Sequence, residues 1–297
     1  MAAVLVPEAL RRGDRVCVIA PSGPFDRTLV LRGIGWLAAR YRVKFDRGIF
    51  SREGFLAGDD SRRLRELDSA LSDPEVRAVI AARGGYGLGR IAHLCDWRAL
   101  RDAPRWLVGF SDVTAAHVEA ARVGVASLHA HNAAGLGRGD AHARDAWIAA
   151  LERPTTRRVF EGLKTWHAGR AHGPLVGGNL TVLHACLASG RLSLPKGCVL
   201  LLEDVGETSY RLDRMLTGLI LSGSLDSVAG VVVGMLSDCS AGKWAVPAEE
   251  VVRERLATLR VPVATELPVG HGRRNDPIVL GAPAMLDASR GELVVWP

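Results

Sequence analysis

The sequence predicts an α/β protein with an N-terminal parallel-sheet domain and a smaller C-terminal domain of mixed α/β type. Short apolar runs alternate with helix-forming segments as far as about residue 130, the pattern of strands joined by crossover helices. The last part of the chain instead alternates apolar stretches that read as antiparallel strands. A hydrophobic content of 48% with 33 glycines suits a packed fold with many tight strand–helix turns.

Arg15-Val16-Cys17-Val18-Ile19-Ala20 is a β-rich run stopped by Pro21-Ser22-Gly23-Pro24, and it predicts the first strand. Residues 27–40 carry Leu29, Ile34, Leu37 and Ala38 on a roughly helical repeat, and Val43 with Phe45 resumes strand alternation. After a loop at Gly54 to Gly58, Asp59, Asp60 and Ser61 offer caps to a helix whose Leu64, Leu67 and Leu71 stand on one stripe. Val76 to Ala82 is another buried strand, and it runs into Arg83-Gly84-Gly85-Tyr86-Gly87. Such a turn lets the backbone approach a ligand, so the Gly85 amide is a candidate oxyanion donor. A tight turn that needs positive φ explains the same glycines. Phosphate cradling fits less well, because there is no Gly-Lys-Ser/Thr ending.

Trp106-Leu107-Val108-Gly109-Phe110-Ser111-Asp112-Val113-Thr114 puts a hydroxyl where a buried strand should turn into a helix. Ser111 at that corner is a candidate nucleophile, and the amide of Asp112, at a helix N-terminus, is the other candidate oxyanion donor. The second glycine of Gly-x-Ser-x-Gly is absent, and Ser before Asp and Thr equally suits a helix cap. Ligands on parallel sheets gather at the carboxyl ends of strands, so Gly84-Gly85 and Ser111 are expected on one edge.

Residues 141–152 predict a closing helix, after which Arg153 to Arg158 turns polar and irregular. The expected organisation is therefore a nucleophile-bearing domain at 1–153, a linker at 154–172 and a second domain at 173–297. In the latter, a helix is expected at about 179–189, and Cys198 to Leu202 is an apolar strand ending in Glu203-Asp204. A carboxylate there is placed like a site residue, though many such acids only cap a loop. A helix follows with Leu212, Met215, Leu216, Leu219 and Ile220 on its packed face, then a strand at Val228 to Val233. His271 stands between Gly270 and Gly272 in a polar loop; a loop histidine is more often surface decoration, but small neighbours on both sides are expected to leave the ring accessible.

Composition excludes several classes. The net charge of +6 comes from scattered arginines with no run of five like charges, so no nucleic-acid footprint is visible. Five separated cysteines among apolar residues read as reduced core thiols, which favours the cytoplasm. Ala2 to Val6 is interrupted by Pro7, Arg11 and Arg12, so no signal segment is expected, and no apolar run approaches the ~18–20 residues that span a bilayer. No cofactor or metal is expected: there is no His-Glu-x-x-His, and the neighbouring His129 and His131 have no obvious third ligand.

Ser111, Glu203 and His271 satisfy the parts list for acyl transfer. At this point the chain resembles a known family, the L,D-carboxypeptidases, cytosolic serine peptidases that include murein tetrapeptide carboxypeptidases and microcin-C immunity relatives. The matching motifs are Arg83-Gly84-Gly85-Tyr86-Gly87, Gly109-Phe110-Ser111-Asp112-Val113-Thr114, Gly177-Gly178-Asn179-Leu180, Leu202-Glu203-Asp204-Val205-Gly206-Glu207, Tyr210-Arg211-Leu212-Asp213-Arg214-Met215-Leu216 and Gly270-His271-Gly272. The resemblance implies Ser111 as nucleophile, His271 as general base and Glu203 as orienting carboxylate. It implies a flavodoxin-like N-terminal domain, a C-terminal domain carrying the other two residues, an active site between them, and a homodimer. The implied reaction releases terminal D-alanine from muropeptide tetrapeptides during peptidoglycan recycling. Arg83, Tyr86 and Arg211 are the substrate-binding candidates, with Arg83 or Arg211 supplying the cation for the terminal carboxylate. Where the family usually has His-Gly-Pro, this chain has Ser127-Leu128-His129-Ala130-His131-Asn132, which leaves a nucleotide-conjugate amide, as cleaved by the immunity relatives, as the rival substrate. A non-catalytic sugar-peptide binding module on the same fold is the remaining alternative.

Overall fold

The first apolar run becomes strand β1 (Arg15–Ile19), buried from Val16 onward, in the computed structural model, which describes residues 4–296. Part of the Ala2 to Val6 stretch therefore lies outside the described residues. Next come α1 (Arg27–Ala38), β2 (Arg42–Lys44), α2 (Asp60–Ser72), β3 (Val76–Ala81), α3 (Arg98–Asp102), β4 (Trp106–Gly109), α4 (Thr114–Arg122), β5 (Ser127–His129), α5 (Ala133–Leu136) and α6 (Ala141–Glu152). Three of these helices start on an aspartate cap: Asp26 accepts from Leu29 N, Asp59 from Arg62 N and Asp140 from Ala143 N.

The chain continues through β6 (Arg158–Phe160), β7 (Lys164–His167), β8 (Arg170–Asn179), α7 (Leu180–Ala188), β9 (Val199–Val205), α8 (Ser209–Leu221), β10 (Gly230–Ser237) and α9 (Ala248–Ala257). It ends with β11 (Val263–Thr265), β12 (Ile278–Leu280), β13 (Pro283–Asp287) and β14 (Glu292–Val295). Cα packing separates two units: Met1–Pro154 with Asp276–Val279, and Thr155–Asn275 with Leu280–Pro297.

The first unit is built on a six-stranded sheet of order β12-β5-β4-β3-β1-β2, in which β1 to β5 pair in parallel. The order 2-1-3-4-5 is the flavodoxin-like doubly wound arrangement, whose strand order reverses between β1 and β3. The loops after β1, β3 and β4 consequently emerge on one edge of the sheet.

The second unit holds an eight-stranded mixed sheet of order β6-β14-β13-β8-β9-β10-β11-β7. Its centre, β8 to β11, is parallel, and antiparallel pairs flank it on both sides, including β13 with β14. The stretch 154–172, expected as a linker, contains β6, β7 and the start of β8. The polar texture has a physical cause, because β6 and β7 are the two edge strands of this sheet and keep side chains in water. The second difference from the linear division is that Asp276–Val279 belongs to the first unit. Among the described residues no helix is long and apolar enough to cross a membrane, and four of the five cysteines are buried. Burial pushes the Cys17 thiol up to about 12, as expected for a packed rather than reactive cysteine.

Candidate active site

Ser111 follows β4 by two residues and opens a short 3-10 turn that leads into α4. Its φ is +66°, in the left-handed region that a residue with a Cβ rarely occupies. The strand has to reverse into a helix within a few residues, and this strained corner holds the hydroxyl half-buried at the sheet edge. Below it, His117 from α4 spans the corner: one ring nitrogen is 3.0 Å from Gly109 O and the other 2.8 Å from Ser127 Oγ on β5. Burial, with His129 beside it, pulls the pKa of His117 down to about 3, so the ring acts as a neutral brace. Phe110 lies edge-on between His129 and His131, at centroid distances of 5.8 and 6.1 Å.

The glycine turn after β3 stands directly against this corner. A Cβ on Gly84 would fall 2.8 Å from Ser111 Cβ and 3.0 Å from Ser111 Oγ, so only glycine lets this turn stand against the serine side chain. Gly85 has φ +109°, and among the described residues its amide hydrogen has no acceptor. The Asp112 side chain is buried and accepts from Leu88 N at 2.8 Å, which ties the nucleophile turn to the glycine turn, while burial pushes its carboxyl up. Arg83 and Tyr86 are exposed on the same turn, and the Tyr86 ring meets Phe55 edge-on at 5.6 Å.

Some organising residues escaped the sequence reading, Arg63 among them. Arg63 is fully buried on α2, and its Nη1 donates to Pro21 O at 2.5 Å and to Gly87 O at 2.8 Å, clamping the loop after β1 to the glycine turn. Asp60 neutralises it one turn earlier. The available signal was a charged residue on the same face as Leu67, Ala70 and Leu71.

In the second unit, Glu203 sits near the end of β9, fully buried, and its Oε2 is 2.8 Å from Nδ1 of His271. A buried carboxylate there favours the tautomer that carries its proton on Nδ1 and leaves the lone pair on Nε2. The flanking glycines serve packing rather than access alone. A Cβ on Gly270 would come 2.7 Å from Glu203 Oε2, and one on Gly272 would come 2.9 Å from Met235 Cγ. Asn275, also buried and also missed, accepts from Gly270 N at 3.0 Å and fixes the histidine loop. Asp204 gathers the Asn179 side chain, the Thr181 amide and hydroxyl and the Val205 amide, holding the end of β9 to the start of α7. Arg211, on α8, is paired with Glu207 at 2.8 Å.

These features are a strained serine at a strand–helix corner, an unpaired glycine amide against it, and a carboxylate–imidazole pair. The sequence matches the profile of the LD-carboxypeptidase N-terminal domain over residues 16–130 and that of the C-terminal domain over residues 172–286. A putative carboxypeptidase of Synechocystis is 37% identical over 97% of this chain and 96% of its own length. The chain belongs to the LD-carboxypeptidase family. The murein tetrapeptide carboxypeptidase of Pseudomonas aeruginosa is 34% identical over 93% of this chain and 94% of its own. Among solved structures, a muramoyltetrapeptide carboxypeptidase from Oxalobacter formigenes matches with a TM-score of 0.85 and 28% identity, covering 95% of this chain and 99% of that one. The microcin C7 self-immunity protein, in complex with glutamyl sulfamoyl guanosine, gives a TM-score of 0.88 at 18% identity over 99% and 98%, a likeness of fold.

Proposed function

We propose that this LD-carboxypeptidase-family protein is a serine-type L,D-carboxypeptidase that releases terminal D-alanine from muropeptide tetrapeptides. The observation that carries the reading is Ser111 at φ +66° with the Gly84 backbone packed against its hydroxyl, an arrangement whose strain has no purpose in an ordinary helix cap. The 34% identity to a murein tetrapeptide carboxypeptidase supports the substrate class.

In the proposed mechanism, His271 Nε2 accepts the proton of Ser111 as its oxygen attacks the scissile carbonyl, and Glu203 stabilises the resulting imidazolium. The amides of Gly85 and Asp112 receive the oxyanion, each worth about 3–4 kcal/mol of transition-state stabilisation on the precedent of other serine peptidases. The imidazolium returns its proton to the leaving amine, D-alanine departs, and water then opens the acyl-enzyme by the same route. Arg83 is the better cation for the terminal carboxylate, because Arg211 already spends its charge on Glu207. A cytoplasmic location, a homodimer and a role in peptidoglycan recycling belong to the same proposal, on the strength of the family resemblance.

The test is incubation with a muropeptide tetrapeptide and, separately, with an aminoacyl sulfamoyl nucleotide, followed by mass spectrometry of the products. Release of D-alanine, abolished in Ser111→Ala, is the expected result. Cleavage of the nucleotide conjugate alone would transfer the reading to that amide. Turnover of neither would leave a binding module.

A further inference from the structure

A basic cavity floored by aromatic rings opens beside the glycine turn in the first unit. It encloses about 370 Å3, and Phe25, Asp26, Arg27, Phe50, Arg52 and Arg83 are among its lining residues. That volume lies in the range of small-molecule sites, roughly 300–1,000 Å3. Its charges are unbalanced: three guanidiniums face one carboxylate, and Asp26 already accepts the Leu29 amide as the cap of α1. Among the described residues no carboxylate is within ion-pair distance of Arg27, Arg52 or Arg83. Other arginines of this unit do have such partners, including Arg40 with Glu152, Arg63 with Asp60 and Arg90 with Asp60.

The three side chains are held rather than loose. Arg83 Nη1 donates to Pro24 O at 2.5 Å, Arg27 lies 4.7 Å over the Phe50 ring, and Arg52 Nε donates to Gly54 O at 3.3 Å. Phe50 is itself fixed edge-on against Phe25 and Phe45, at 5.9 and 6.3 Å. Guanidiniums that line one cavity without a carboxylate partner give it a positive potential, which an anion would neutralise. Arg83 joins the cavity to the nucleophile corner, its guanidinium carbon lying 4.0 Å from where a Cβ on Gly85 would stand.

We infer that this cavity is an anion subsite for the substrate: it takes a carboxylate or phosphate remote from the scissile bond, with Arg27 and Arg52 as ligands and Phe50 as an apolar floor. Its purpose rests on the Ser111 hydrolase reading. Guanidinium forks grip either oxyanion bidentately, so a side-chain carboxylate of an acidic peptide and a nucleotide phosphate share the recognition chemistry.

The experiment titrates Ser111→Ala protein calorimetrically, since that variant keeps the cavity and does not consume the probe. Three probes are used: a D-alanine-terminated tetrapeptide with a glutamate side chain, its glutamine counterpart, and adenosine monophosphate. Each is repeated with Arg27→Ala and Arg52→Ala added, with circular dichroism to check folding. The expected result is that one anionic probe binds, loses tenfold or more in affinity without the two arginines, and weakens as salt is raised, while the glutamine peptide is indifferent to them. Which anion responds identifies the source. Affinities for both anionic probes that do not change when the arginines are removed would overturn the inference, as would no binding of either. Turnover by the unsubstituted protein separates the two readings. Hydrolysis of the acidic and glutamine peptides with one KM, unchanged in the arginine variants, removes the subsite and keeps the hydrolase; an arginine-dependent affinity without any hydrolysis does the reverse.

Discussion

Ser111 is both the strained residue of the first unit and its proposed nucleophile, and the two properties separate by substitution. Holding a side chain at φ +66° costs on the order of 1–3 kcal/mol, and glycine carries no such penalty. Ser111→Gly should therefore be more stable than Ser111→Ala by about 1 kcal/mol in urea unfolding, while both lose turnover by several orders of magnitude. Glu203→Gln should keep the fold, because the amide preserves the shape of a fully buried side chain, yet lower kcat by about 10²–10⁴ through the wrong imidazole tautomer. Steady-state kinetics check it, and an unchanged kcat would remove Glu203 from the mechanism. His117 makes a pH prediction. The unfolded chain protonates this ring near the ordinary ~6.5, whereas the folded protein resists to about 3. Between those values the unfolded state binds the extra proton, so the stability present above pH ~6.5 is lost as pH falls, by up to about 1.4 kcal/mol per unit. His117→Gln should flatten that slope in urea melts at pH 7, 6 and 5. Residues of this kind differ in how legible they are. Ser111 and Glu203 stand out because each ends an apolar run, but Arg63 acts through carbonyls far away in sequence, and His117 and Asn275 act through turn contacts that exist only once the chain is folded.

At the scale of elements, the periodic segments were legible and the edges were not. The helix expected over residues 141–152 is α6, and of the stripe Leu64, Leu67 and Leu71 the last two are buried on α2 while Leu64 is half-buried, because each of those helices carries its own cap and its own apolar side. The edge strands β6 and β7 gave no such signal, since half of a water-facing edge strand looks like loop. Close packing of α1 and α5 was equally silent in the sequence. A Cβ on Gly33 would fall 2.0 Å from Ala133 O, and one on Gly137 would fall 1.9 Å from Leu29 O, so the helices meet backbone to backbone. Gly35, two residues along the same helix, meets nothing within 4 Å and is exposed. Gly35→Ala should therefore stabilise the protein by roughly 0.5–1 kcal/mol through helix propensity. Gly33→Ala should destabilise it by about 3 kcal/mol or more, as overpacking against backbone that cannot yield. Thermal melts of the two variants should move in opposite directions, and a shared shift would mean the helices can part cheaply.

At the scale of the whole molecule, the two units are not two consecutive stretches of chain. The chain leaves the first unit after Pro154, returns for Asp276–Val279, and leaves again. The return was illegible because Ile278-Val279-Leu280 has the composition of any buried strand, and nothing in it names the sheet it joins. Its place beside β5 means that residues 1–154 alone would end the sheet on β5, where Ser127, Leu128 and His129 are all buried in the intact protein. A buried parallel strand turned into an open edge exposes apolar faces and unpaired backbone groups together. A fragment of residues 1–154 should consequently aggregate or melt well below a version in which residues 275–281 are attached after Pro154 through a flexible glycine–serine linker. Static light scattering and circular dichroism on the two fragments decide it. Equal melting temperatures and equal monomer content would show that β12 is dispensable to the sheet. The domain division drawn from the sequence, with its cut near residue 153, would then be physically sufficient.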